Sequence, residues 1–225
     1  MSDLPYHHVF MKIARTTTMS ALLLALWLTA GGAAGAEIAG YKPVAGDIVF
    51  QSLGGSPLTD MIEGVTRSGY SHCGIVAQKK GGWSVIEAIG PVREIPLGDW
   101  IRQGQHQNFA AYRLKPAYAA NTNGFVKSAE TYLGRPYDIH YAMDDEKIYC
   151  SELVFKAYRN SAHEDLGHLV KLKELNWKPH ADFIRQIEGG TVPLEREIIT
   201  PANLAKADQL ECVYSRGMEP VMAMK

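Results

Sequence analysis

Three side chains that could together make a nucleophile lie far apart in this chain: Cys150, His72 and Glu87. A thiol attacks a carbonyl carbon as thiolate, and an unassisted cysteine, with a pKa of about 8.5, is only a few per cent ionised at neutral pH. Cys150 stands in YCSELVFKAY (Tyr149–Tyr158), where Leu153, Val154, Ala157 and Tyr158 form one apolar helical face. The sulfur would therefore sit at the first helical turn. There, unpaired N–H groups and the helix dipole favour negative charge and can hold an oxyanion. The same spacing puts Cys150 on the packing face, and by itself the stretch favours a buried structural thiol.

A base must come from elsewhere. Six histidines lie after position 36 (His72, His106, His140, His163, His168 and His180), and only His72 occupies a convincing strand, SHCGIVAQ (Ser71–Gln78). Strand alternation sends Cys73 to the face opposite His72, so adjacency in sequence argues against that pair. A second β-rich run, WSVIEAI (Trp83–Ile89), follows Lys79-Lys80-Gly81-Gly82 and predicts a hairpin. A two- or four-residue loop sets Glu87 opposite Gly74, on the His72 side and roughly 7 Å from it diagonally. Glu87 could then hold the ring nitrogen that does not face the thiol, fixing the tautomer and supporting the imidazolium. A three-residue loop or a bulge would send Glu87 to the other face. A satisfied structural histidine and a solvated strand glutamate remain open readings.

The elements that must position these residues follow from periodicity. Asp47 to Phe50 after Gly46 reads as a buried strand, Leu58 to Val65 as a short helix, and Pro91 to Pro96 and Asn108 to Leu114 as further strands. The second half changes period. Phe125, Ala129, Tyr132 and Leu133 predict a helix, capped by Asn121 or Thr122 and closed near Gly134. An irregular acidic loop, RPYDIHYAMDDEK, leads into the cysteine helix. Phe183, Ile184 and Ile187 share a later helical face, and Glu197 to Ile199 predict a final short strand before Pro201. Strands followed by helices argue for an α+β fold, an antiparallel sheet packed against helices.

Composition narrows the function classes. The 225 residues are 46% hydrophobic and 21% charged with a formal net charge of -1, which gives no electrostatic case for nucleic acid or an acidic membrane surface. Lys12 and Arg15, the apolar run Ser20 to Ala30, and Ala34-Gly35-Ala36 read as a cleaved signal peptide over residues 1–36, with Met11 an alternative start. The run is shorter than the roughly 20 residues a span needs, so no membrane span is expected after cleavage, and the mature chain is expected to be periplasmic or secreted. Residues 37–225 read as one domain. Three cysteines, an odd number, leave at least one thiol without a partner in its own chain. There is no CxxC, and His163 and His168 are spaced wrongly for one helical face, so neither a metal nor a cofactor is expected.

The order GDIVFQ, SHCGIV, VIEAIGPV, then LGRPYDIHYAMDDEKIYCSELVFKAY resembles the circularly permuted papain-like cysteine hydrolases related to NlpC-type amidases, in particular the YiiX/YebB-like group. ITP at Ile199 to Pro201, followed by a short apolar tail, also fits. The resemblance implies a permuted papain-like (NlpC-type) fold with Cys150 as nucleophile, His72 as general base and Glu87 as its orienting residue. It also suggests Tyr137 of LGRPY as a substrate or oxyanion-side residue, and more weakly Gln51 as an oxyanion donor. The implied activity is amide hydrolysis, with a peptidoglycan stem peptide as the leading substrate, and Asp144, Asp145 and Glu146 point toward an amine-bearing one. The alternatives are an acyl-ester hydrolase or acyltransferase acting on lipid, which an apolar, uncharged groove near Cys150 would favour, and a non-catalytic binding module. A disulfide from Cys150 to Cys73 or Cys212 would abolish the thiolate.

Overall fold

A computed structural model describes residues 40–221; the expected signal segment lies outside the described residues. The chain enters its first strand through Gly46, whose φ of +86° and close approach to the Thr122 side chain both require glycine. β1 (Ile48–Gln51) leads to α1 (Pro57–Thr66), where Ser56 Oγ accepts from the Thr59 N–H at 3.1 Å and Pro57 takes the first helical position. β2 (His72–Lys79) and β3 (Gly82–Ala88) then form the expected hairpin, with Lys79 opposite Gly82 and Gly74 opposite Glu87. A side chain at position 74 would collide with Val85 and come within 2.9 Å of the Ile86 carbonyl oxygen, so this glycine is what lets the two strands carry His72 and Glu87 side by side.

β4 (Val92–Pro96), α2 (Leu97–Gln103) and β5 (Phe109–Leu114) complete the first half. α3 (Thr122–Glu130) is shorter than its apolar spacing predicts: Tyr132 is buried beyond its end, but Leu133 is 45% exposed. Neither expected cap accepts at its start, because Asn121 Nδ2 donates to the Ser161 carbonyl and Thr122 Oγ1 to that of Ala119. Next come α4 (Cys150–Ala162), β6 (Val170–Lys171), α5 (Ala181–Glu188), β7 (Glu197–Ile198), α6 (Pro201–Ala205) and β8 (Leu210–Arg216). Six strands form one antiparallel sheet in the order β4-β3-β2-β1-β5-β8.

The last strand differs from expectation. β7 pairs with β6 in a separate two-stranded sheet, and the segment read as an apolar tail contains β8, which closes the edge of the main sheet. Only Leu210 of β8 is fully buried, so an edge strand of this kind carries little of the alternation that marks a strand in sequence.

The sheet has two packed faces. α3 and α4 cover one, where Ile48, Phe50, Cys73, Ile75 and Ile86 meet Phe125, Leu153, Val154 and Ala157. α2 covers the other, with Trp100 against Val49, Val76, Val85 and Phe109. A third cluster joins Met61, Ile62 and Val65 of α1 to Leu172, Ile184 and Ile198. No helix among the described residues is long and apolar enough to cross a membrane.

The base of the sheet is tied by one buried carboxylate. Asp47, fully buried, accepts from Arg113 Nε at 2.7 Å, from Tyr41 Oη at 2.8 Å and from the Val44 N–H at 2.9 Å. Asp47→Ala strands the buried tyrosine hydroxyl and leaves Arg113, which is one-third exposed, without its partner. The expected loss is on the order of 2–3 kcal/mol of unfolding free energy by chemical denaturation. A midpoint equal to that of the unsubstituted protein would show the carboxylate to be dispensable.

Candidate active site

Cys150 opens α4 and is 2% exposed. Its flanks are fixed in three directions. The Tyr149 N–H donates to Glu152 Oε2 at 3.2 Å, the Tyr149 hydroxyl accepts from the Ile199 N–H at 3.1 Å, and Ser151 Oγ donates to the Ile199 carbonyl at 2.9 Å. The ITP segment thus anchors the cysteine turn from outside its own helix. All three cysteines are free thiols, so Cys150 is available as a nucleophile.

His72 is the first residue of β2 and is 2% exposed; its Nε2 donates to Glu87 Oε2 at 2.7 Å. The other ring nitrogen, Nδ1, is left for Cys150, whose thiol is hydrogen-bonded to the ring. Glu87, fully buried, also accepts from Gln103 Nε2 at 2.7 Å and from Arg93 Nε at 2.8 Å. Arg93 lies opposite Glu87 in the β3–β4 register, and Gln103 is the last residue of α2. Trp100 stacks beside His72 with ring centroids 6.1 Å apart.

These contacts set the charge states. Burial would raise the Glu87 carboxyl, but His72, Arg93 and Gln103 outweigh it and hold the group below the usual carboxylate range. Burial opposes a charged His72, yet its hydrogen bonds with Cys150 and Glu87 raise its pKa to about 9. The Cys150 thiol is pulled well below its ordinary value by its contacts with Cys73 first and His72 next, against the opposing effect of burial. Cys73 itself is pushed up by burial and by Cys150, so it stays protonated and can donate its S–H. These directions favour a thiolate–imidazolium pair backed by a carboxylate.

A narrow cleft of about 60 Å3 opens beside Cys150, walled by Met61, Ile62, Val65, Leu172, Ile184, Ile187 and Ile198. Its charged lining, Arg196 and Glu188, is self-neutralised by paired contacts at 2.5 and 2.9 Å. Tyr141 lines the same cleft with a φ of +55°, unusual for a bulky residue, and its hydroxyl lies 3.2 Å from that of Tyr137. Tyr137 lines a neighbouring cleft together with His72. Gln51 is elsewhere: it faces His72 in the β1–β2 register, but its amide is buried against Gly104 and it lines neither cleft. Asp144, Asp145 and Glu146 also lie outside both clefts, Asp144 accepting from the Glu146 and Lys147 N–H groups and Asp145 pairing with Lys156.

Sequence reasoning did not identify Arg93, Gln103, Trp100 or Tyr141. The first had a usable signal, since extending the hairpin register by one strand sets a cation opposite Glu87. Gln103 and Trp100 come from a helix whose docking has no local signature, and the left-handed turn at Tyr141 carries no glycine to mark it.

The assembled geometry has relatives. Residues 42–214 match the family model described as permuted papain-like amidase enzyme, YaeF/YiiX, C92 family. The uncharacterized protein YiiX of Escherichia coli K12 is 32% identical over 176 residues, covering 77% of this chain and 87% of that protein. A solved structure of YiiX from Escherichia coli O157:H7, described as a metalloprotein, superposes with a TM-score of 0.71 at 31% identity and covers 78% of this chain and 99% of its own. Among the described residues no group of three or more His, Cys, Asp or Glu side chains is placed to hold a metal ion. With its strand-borne histidine preceding its cysteine helix, this chain belongs to the permuted papain-like amidases of the YaeF/YiiX, C92 family.

Proposed function

We propose that this protein hydrolyses amide bonds through Cys150, His72 and Glu87, and that the acyl half of its substrate is apolar. The observation that carries the first part is the buried contact of Cys150 with a His72 whose far nitrogen is held by Glu87 at 2.7 Å. In the resting state His72 holds the proton taken from Cys150. The thiolate attacks the amide carbon, and N–H groups at the start of α4 stabilise the oxyanion. The imidazolium gives its proton to the leaving nitrogen as the C–N bond breaks. Water, deprotonated by His72, then cleaves the thioester. The basic n-region, apolar run and small-residue site at residues 1–36 support export.

The cleft around Cys150 bears on the substrate. Its walls are hydrocarbon and its one ion pair is internally satisfied, so it offers little to a zwitterionic stem peptide and much to an alkyl chain. This favours an N-acyl amide over a cell-wall peptide, and an acyl ester is a second substrate for the same thiolate. The assembled pair of Cys150 and His72 speaks against a purely binding role.

Two experiments test this, the first on the dyad by pH profile and thiol alkylation and the second on the acyl half. His72 is charged below a pKa of about 9 and neutral above it, so kcat/KM for amide hydrolysis should fall as pH rises through about 9, when the proton donor to the leaving nitrogen is lost. Alkylation by iodoacetamide should be much faster at Cys150 than at exposed Cys212 near neutral pH. His72→Ala should move the Cys150 profile toward the ordinary thiol range. Equal rates at the two cysteines, unchanged by His72→Ala, would rule out the dyad. In the second experiment decanoyl and hexanoyl amides of one amine are compared. At about 0.8 kcal/mol per buried methylene, four extra methylenes should raise kcat/KM on the order of 100-fold. Equal rates would remove the acyl assignment.

A further inference from the structure

His72 does not line the cleft that holds Cys150. It lines a second one, of about 260 Å3, with Leu53, Leu58 and Ile89. Ile62, Ser71 and Ile139 belong to both clefts, so the two adjoin, one reaching Cys150 and the other His72. No Asp, Glu, Lys or Arg lines the His72 cleft; its polar groups besides the imidazole are hydroxyls of Ser56, Thr59, Ser71 and Tyr137. Ile89 and Ile139 remain 36% and 42% exposed there, apolar surface that the core does not use.

The chemistry assigns the two clefts. During acylation the sulfur–carbon bond forms and the carbon–nitrogen bond breaks, and the nitrogen's electron pair takes the proton from the His72 imidazolium. The leaving amine must therefore lie within reach of His72, while the acyl half lies beside Cys150. We infer that the His72 cleft is the leaving-group subsite and that it selects an uncharged, apolar amine over an amine carrying a free carboxylate. This rests on the amidase reading above. A carboxylate placed there would lose its water without gaining a cation, whereas an aryl or alkyl group would bury against Leu53, Leu58 and Ile89.

Two amides with one acyl group and amines of similar basicity isolate this subsite: the decanoyl amides of 4-methylbenzylamine and of 4-(aminomethyl)benzoate. The unsubstituted protein should cleave the methyl compound with a kcat/KM at least about ten-fold higher. Ile89→Lys, at a partly exposed position, should bring the two within about three-fold, chiefly by raising kcat/KM for the carboxylate. Leu58→Lys, on a different element, repeats the test should the first variant misfold. Decanoyl chloromethyl ketone, which carries no leaving amine, reports the state of Cys150 by alkylation in every variant. No preference in the unsubstituted protein, or a ratio unmoved in folded lysine variants whose Cys150 is still alkylated, overturns the subsite while the amidase reading stands. Absence of both alkylation and cleavage in the unsubstituted protein overturns the two together.

Discussion

The structure depends on holding three ionisable groups together where almost no water reaches them. Glu87 is fully buried and His72 and Cys150 are each 2% exposed, so desolvation alone would drive all three neutral. Another buried glutamate shows what that pressure does. Glu152, also fully buried, has one lysine partner and one backbone N–H, and its pKa is pushed up to about 7. Glu87 escapes because donors from three separate elements converge on it. Arg93 and Gln103 thus hold the Glu87 carboxyl down, and α2, which carries Gln103, does more than cover the sheet.

A second constraint is where the two reacting groups meet. By alternation His72 belongs to the sheet face covered by α2, as its stacking on Trp100 attests, while Cys150 comes from the helix packed on the opposite face. A sheet separates its two faces everywhere except at its ends. His72 is the first residue of β2, and Cys150 the first of α4. Moved two residues inward to Gly74, the imidazole would keep its face but lose access to the thiol. The position of the active residues at element starts is thus dictated by the layering, and the Cys73 contact follows from it. Cys73 is the adjacent strand residue, directed to the cysteine's own face.

This explains which parts were legible in sequence. The pairing of Glu87 with Gly74 could be derived because a two-residue hairpin loop and strict alternation leave one register, and Gly74 marks the crowded spot. The helix face of Leu153, Val154 and Ala157 was equally visible, since burial there is periodic. β8 was not, because an edge strand with one fully buried residue has no such period, and neither was the shortened α3, whose apolar spacing runs on through Leu133 after the backbone has left the helix. Of the site, the parts carried by the hairpin and the cysteine helix were readable, and the parts supplied by long-range docking were not. The placement of Gln51 against Gly104 belongs to the second kind. Strand position fixed its face, but the turn that fills the space beside it comes from a distant helix end.

The apolar clefts and the pair they reach are one design. Interaction between thiolate and imidazolium weakens as water enters, because effective dielectric governs how far each stabilises the other. An alkyl chain seated on Met61, Val65 and Ile184 displaces water from the cysteine side, and the pair it shields is already held by Glu87 from behind. A strongly polar substrate would bring its own hydration to the same place and compete for the charge. Under the proposed function, side chains that prefer hydrocarbon would also help to preserve the nucleophile's ionisation. Arg196 and Glu188, by neutralising each other at the wall, keep a stray field from undoing it.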